Sequence, residues 1–158
     1  MALPTLTRHE HVFVMQLDDG DNRFNRSSLD AINACLDEID AAEGPKGLVT
    51  AGTGKFFSNG LDLDWLSAGD EDMVEFIDEV MLMWGRLVEA GYPTVAAVNG
   101  HAFAGGARLF DRTAFFQTHH IHRIGSHAHG IGHAQDIAVL GLGEFLARDQ
   151  THNPPARQ

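Results

Sequence analysis

The chain has 158 residues, a formal net charge of −11, 44% hydrophobic residues and a single cysteine. That length suits one domain with a buried core, and the apolar fraction argues against disorder as the default state. The acid excess excludes a general nucleic-acid or anionic-membrane binder. The lone Cys35 excludes a disulfide framework and fits a reducing compartment. No run of about 18 apolar residues occurs, so no membrane span is expected. Residues 1–10 match neither a secretory signal nor a mitochondrial presequence, and Pro155-Ala156-Arg157-Gln158 is not a peroxisomal tripeptide. The expected location is the cytoplasm or an organelle interior, with no targeting signal recognised.

Residues 11–18 (HVFVMQLD) alternate Val12, Val14 and Gln16 with Phe13, Met15 and Leu17. A strand apolar on nearly both faces belongs inside a sheet. Thr5 to Arg8 reads as a short edge strand beside it, and residues 18–26 (DDGDNRFNR) as a turn-rich loop. Residues 27–42 predict a helix capped by Ser27, with Asp30 completing an acidic capping box and Leu29, Ile32, Leu36 and Ile39 forming one stripe. Glu43-Gly44-Pro45 stops it. KGLVTA (46–51) is a strand, and the last part of residues 55–66 starts a short helix. Residues 70–90 predict a longer helix whose apolar stripe is broad enough for burial on more than one side. Gly91 and Tyr92-Pro93 end it, and TVAAV (94–98) is a buried strand. Strand, helix, strand, helix, strand argues an α/β fold with parallel pairing.

Two turns carry the chemistry. KFFSNGLDL (55–63) and PTVAAVNGHAFAGGA (93–107) each bring small residues from a strand to a helix start. Helix starts expose unpaired N–H groups and partial positive charge. Two such N–H groups aimed at one point favour an oxygen that gains negative charge during reaction, and Gly60, Gly105 and Gly106 permit the close approach this needs.

With their order and separation, these two segments resemble the two oxyanion segments of the crotonase (enoyl-CoA hydratase/isomerase) superfamily. The resemblance covers residues 5–108, and FFSNGLDL is closest in wording to Δ3,Δ2-enoyl-CoA isomerases. It implies a repeated ββα spiral core, apparently truncated, with an irregular C-terminal tail. It also implies that the backbone N–H groups of Asn59 and Gly105 hold a thioester oxygen, and that Ser58, Asn59, Gly60, Leu61, Asp62 and Gly105 line the substrate. The substrate implied is an acyl-CoA thioester of fatty-acid breakdown, with coenzyme A as part of the substrate, no separate cofactor, no metal and a trimeric assembly. The resemblance places a hydratase glutamate two residues after Gly106, where this chain has Arg108. A guanidinium cannot act as a base, so the general acid/base is unknown and two-glutamate hydration is not expected. Asp111 and Glu144 are the nearby acids, and neither lies in a family motif.

Simpler roles compete at several positions. Asp62 and Asp64 read better as helix-start charges than as substrate ligands, and Trp65 and Trp84 better as core than as acyl pocket. His119, His120, His122, His127, His129 and His133 lack zinc-ligand spacing.

Composition changes at residue 109. Residues 1–108 hold 18 acidic and 7 basic residues, whereas residues 109–158 hold 4 of each and 7 of the 10 histidines. This divides the chain into a crotonase-like core (1–108) and a divergent His-rich tail (109–158). An out-of-frame reading, an alternative exon or a deletion would account for the change, as would an inserted or diverged tail in a genuine short protein. Three functions are weighed: an enoyl-CoA isomerase or hydratase, a catalytically impaired acyl-CoA-binding or co-assembling protein, and a His-rich metal binder.

Overall fold

The computed structural model describes residues 2–69, 72–104, 106 and, as backbone, 114–117. Arg108, the tail residues Asp111 and Glu144, and the six histidines from His119 to His133 lie outside the described residues, as does Gly105.

The chain opens with a hairpin. Strand β1 (Thr5–His9) pairs antiparallel with β2 (Val12–Leu17). The turn holds Glu10 at φ 53°, a left-handed conformation unusual for a residue with a long side chain. A two-residue strand, β3 (Arg23–Phe24), follows within the segment that the sequence reads only as a loop.

Helix α1 (Arg26–Ala41) starts one residue earlier than its sequence pattern indicates. Its cap is Asn25 rather than Ser27, and the capping box closes through Ser28 rather than Asp30. The Asn25 side chain accepts from the Ser28 N–H at 3.1 Å, while Ser28 Oγ accepts from the Asn25 N–H at 2.9 Å. The buried face is the expected stripe of Leu29, Ile32, Leu36 and Ile39, joined by Cys35 and Ser28. Burial, and secondarily the charge of Glu38, pushes the Cys35 thiol above its usual pKa, which disfavours the thiolate. At the far end Lys46 Nζ donates to the carbonyls of Ile39, Asp40 and Ala42 at 2.8, 2.9 and 2.8 Å. One ammonium thereby engages three helix-end carbonyls, of which that of Ile39 also accepts from the Ala42 N–H.

Strand β4 (Gly47–Gly52) is buried throughout. Then come β5 (Phe56–Ser58), β6 (Gly60–Leu61), α2 (Leu63–Ser67), α3 (Met73–Val88), β7 (Thr94–Val98), β8 (His101–Ala102) and β9 (Ala114–Gln117). The main sheet has the order β1-β2-β4-β7-β9, parallel at every pairing after the first. The sequence reading has no element at β9, which adds a parallel strand beyond β7.

Each repeat also contributes a short strand that pairs with a short strand of the next: β3 with β6, and β5 with β8. This is the repeated spiral that the family resemblance implies. Phe13, Met15, Leu17, Leu48, Ala96 and Val98 face α1 and α3 in one core, while Val12, Val14, Val49, Ala51, Val95 and Ala97 cluster on the opposite face. Side chains such as Leu36 and Phe76, each at most 1% exposed, contribute about 1.5–3 kcal/mol apiece by burial. Helix α3 departs from expectation on its outer side. It buries Phe76, Val80, Met83 and Leu87, whereas Met73, Val74, Met81 and Leu82 are exposed. Among the described residues no helix is long and apolar enough to cross a membrane.

Candidate functional site

The two turns singled out from sequence are packed against each other by the fold, and the residues that meet lie 44 to 48 positions apart. Ladder β5–β8 pairs Phe56 with His101 and Ser58 with Ala102. The Phe103 N–H donates to the Ser58 carbonyl at 2.9 Å. Gly106 lies so close that an added Cβ would stand 2.5 Å from the Ser58 carbonyl oxygen and 2.7 Å from its Cβ. Ala104, next to Gly105, has φ 43°, a strained value for an L-residue and one that clusters at functional turns.

Within the first turn the N–H groups differ. The Asn59 N–H donates to the Asp21 carbonyl at 3.0 Å, so it can serve a ligand only by giving up that bond. The Gly60 N–H donates to Ser58 Oγ at 3.2 Å, and Gly60 has φ +79°, which its lack of a Cβ allows. The Asp62 N–H donates to the Phe24 carbonyl at 2.9 Å, with Phe24 in register with Leu61. Successive N–H groups on an extended strand point to opposite sides. The Leu61 N–H therefore faces away from β3. Sequence reading did not single out this N–H, because only the β3–β6 pairing distinguishes it from its neighbours.

The remaining candidates are also placed. Ser58 is fully buried, and its Oγ donates to the Asn22 carbonyl at 2.6 Å. Asp62 caps α2 by accepting from the Trp65 N–H at 3.3 Å, and it lies 3.6 Å from Arg23. Asp64 is solvent-facing and pairs with Arg23 at 3.2 Å. Both carboxylates thus have the helix-start role preferred from sequence. Trp65 meets Phe76 edge-on at 5.0 Å between ring centroids, and Trp84 meets Phe24 at 6.1 Å. Both tryptophans pack on the core. Among the described residues no group of three His, Cys, Asp or Glu side chains could hold a metal.

A parallel spiral of this kind, with two backbone turns meeting between successive repeats, is the crotonase class of α/β fold. The enoyl-CoA hydratase/isomerase family profile matches residues 7–135, and the chain belongs to that family. Enoyl-CoA delta isomerase 1, peroxisomal, of Arabidopsis thaliana is 32% identical over 108 residues, covering 66% of this chain and 45% of the relative. A putative enoyl-CoA hydratase of Thermus thermophilus is 38% identical over 105 residues, covering 63% and 42%. The crystal structure of a probable enoyl-CoA hydratase from Mycobacterium tuberculosis superposes with a TM-score of 0.61 at 32% identity, covering 66% of this chain and 44% of that one. The chain therefore matches less than half the length of these relatives. The family match extends past residue 108, across β9 and into the His-rich segment.

Proposed function

We propose that this chain carries the enolate-stabilising part of an acyl-CoA thioester site, serving Δ3,Δ2-enoyl-CoA isomerisation in preference to hydration. The observation behind the reading is the contact of Ser58 with Gly106, which brings the two donor turns to one place. One donor comes from the 59–61 turn. The Leu61 N–H, which faces away from β3, is the donor this reading assigns, and Asn59 contributes only if its bond to Asp21 opens. The second is the Gly105 N–H. As a proton leaves C2 of the acyl chain, negative charge collects on the thioester oxygen, and fixed N–H dipoles stabilise it without reorganising. Each such donor contributes about 2.7–4 kcal/mol to the transition state. Coenzyme A enters as part of the substrate, and no separate cofactor is needed. Isomerisation needs one carboxylate to move a proton from C2 to C4 and fits a chain with Arg108 in the hydratase glutamate position. Delta isomerases of Arabidopsis are among its relatives.

The test is incubation of the full chain with 3-hexenoyl-CoA and, separately, crotonyl-CoA, following the conjugated thioester absorbance. Formation of 2-hexenoyl-CoA is the expected result. Folded protein that neither binds nor converts either ester overturns the reading. Arg108 favours a second reading, a catalytically impaired acyl-CoA binder. That reading predicts binding of both esters with turnover of neither.

A further inference from the structure

The side chain of Asn22 lies outside both donor turns, yet its amide nitrogen donates to two consecutive carbonyls of the first, Phe56 at 3.0 Å and Phe57 at 3.1 Å. Its Oδ1 accepts from the Asp19 N–H at 3.0 Å, and its own N–H donates back to Asp19 Oδ1, closing a reciprocal clasp. Its carbonyl accepts from Ser58 Oγ at 2.6 Å. Asn22 is 5% exposed and has φ 51°. Asn tolerates this left-handed region better than most L-residues. Its side-chain nitrogen, its Oδ1, its N–H and its carbonyl are therefore all engaged in one largely buried network, and such networks hold geometry tightly when every member is satisfied.

We propose that Asn22 is the positioning residue of the enolate-holding turn, acting through Ser58; this rests on the function proposed above. The path is short. Asn22 holds the Phe56 and Phe57 carbonyls and the Ser58 hydroxyl. Ser58 Oγ accepts from the Gly60 N–H, and the Ser58 carbonyl accepts from Phe103 and abuts Gly106. Asn22 thus sets the peptide orientation from Ser58 to Leu61 and the spacing between the two turns, without touching substrate. The substrate feature it serves is the charged oxygen of an enolate, not the acyl chain.

The test compares two four-carbon ligands by calorimetry: acetoacetyl-CoA, which readily carries enolate charge, and saturated butyryl-CoA, which does not. Asn22→Gly keeps the left-handed backbone with its N–H and carbonyl, and removes both amide donors and the side-chain half of the clasp. Asn22→Asp keeps the shape and removes both amide donors. The wild-type chain is expected to prefer acetoacetyl-CoA. Each variant is expected to lose that preference by at least about tenfold, with butyryl-CoA affinity changed less than threefold. Amide exchange at Gly60 and Leu61 is expected to accelerate. A merely structural role would weaken both ligands equally. Unchanged preference in folded variants overturns the positioning role and leaves the proposed function standing. Unfolding of both variants also overturns it, since Asn22 would then be a fold determinant. A wild-type chain that binds neither ester overturns the proposed function itself, and the positioning role with it.

Discussion

Gly106 sits against Ser58 with no room for a single methyl group: a Cβ there would lie 2.5 Å from the Ser58 carbonyl oxygen and 2.9 Å from its Oγ. The obstacle is partly backbone, so it cannot swing aside as a long side chain would. Gly106→Ala is expected to push the two turns apart and destabilise the chain by about 1–3 kcal/mol. Urea denaturation of the purified variant checks this. A midpoint equal to wild type would show that the turns separate at no cost.

Lys46 offers a second test. Its ammonium closes the C-terminus of α1 on three carbonyls and lies 5.5 Å from the Tyr92 ring centroid. Lys46→Met keeps most of the apolar stem and removes the donors. The expected loss is about 1–2 kcal/mol, from helix-end carbonyls returned to water or left unpaired. Added salt is expected to shrink the difference between the two proteins if the dipole interaction dominates.

Tyr92 couples stability to alkaline pH. Its hydroxyl donates to Asp40 Oδ1 at 3.1 Å. Burial first, then the Asp40 charge and this bond, raise its pKa well above the ordinary tyrosine value. Because the folded pKa exceeds the unfolded one, the folded state holds the proton more tightly. The contribution is complete below the unfolded pKa of about 10 and is lost as pH rises toward the folded value. Denaturation midpoints measured between about pH 8 and 11 are expected to fall above about pH 10, and Tyr92→Phe is expected to flatten that fall. Tyr92 is the only tyrosine, so an ultraviolet phenolate titration reads it directly.

Glu10 occupies the β1–β2 turn at φ 53° with no glycine to relieve it. A left-handed L-residue costs about 1–2 kcal/mol, less for Asn. Glu10→Asn and Glu10→Gly are therefore expected to stabilise the chain, Asn by up to about 1 kcal/mol. Thermal melting checks the sign; a lower melting temperature for both would mean that the Glu10 side chain makes a compensating contact.

Much of the spiral was legible without coordinates, because its signals are local. The two-sided apolar pattern of 11–18 placed β2 inside the sheet, and the 3.6-residue spacing of Leu29, Ile32, Leu36 and Ile39 marked the buried face of α1. The cap was misplaced by two residues because Asn25, Ser27 and Ser28 are all competent cap residues. Choosing among them depends on where β3 ends. The two-residue strands β3, β6 and β8 carry too few residues for any period to register. Strand β9 is only four residues long and lies where the composition changes, so it gave no pattern to read.

The sequence by itself determined that two glycine turns lie at the ends of short strands. Residue type and local periodicity suffice for that. Only the tertiary structure decided which N–H groups are already engaged and which face away. Asn59 is bound to Asp21, Gly60 to Ser58, and Leu61 is turned to the other side, because β3 pairs with β6 across a separation of 37 residues. A main-chain donor has the same chemistry at every non-proline position, so the identity of the residue says nothing about its availability. That depends on pairing between segments distant in sequence, and here Asn22 is the residue that ties them together.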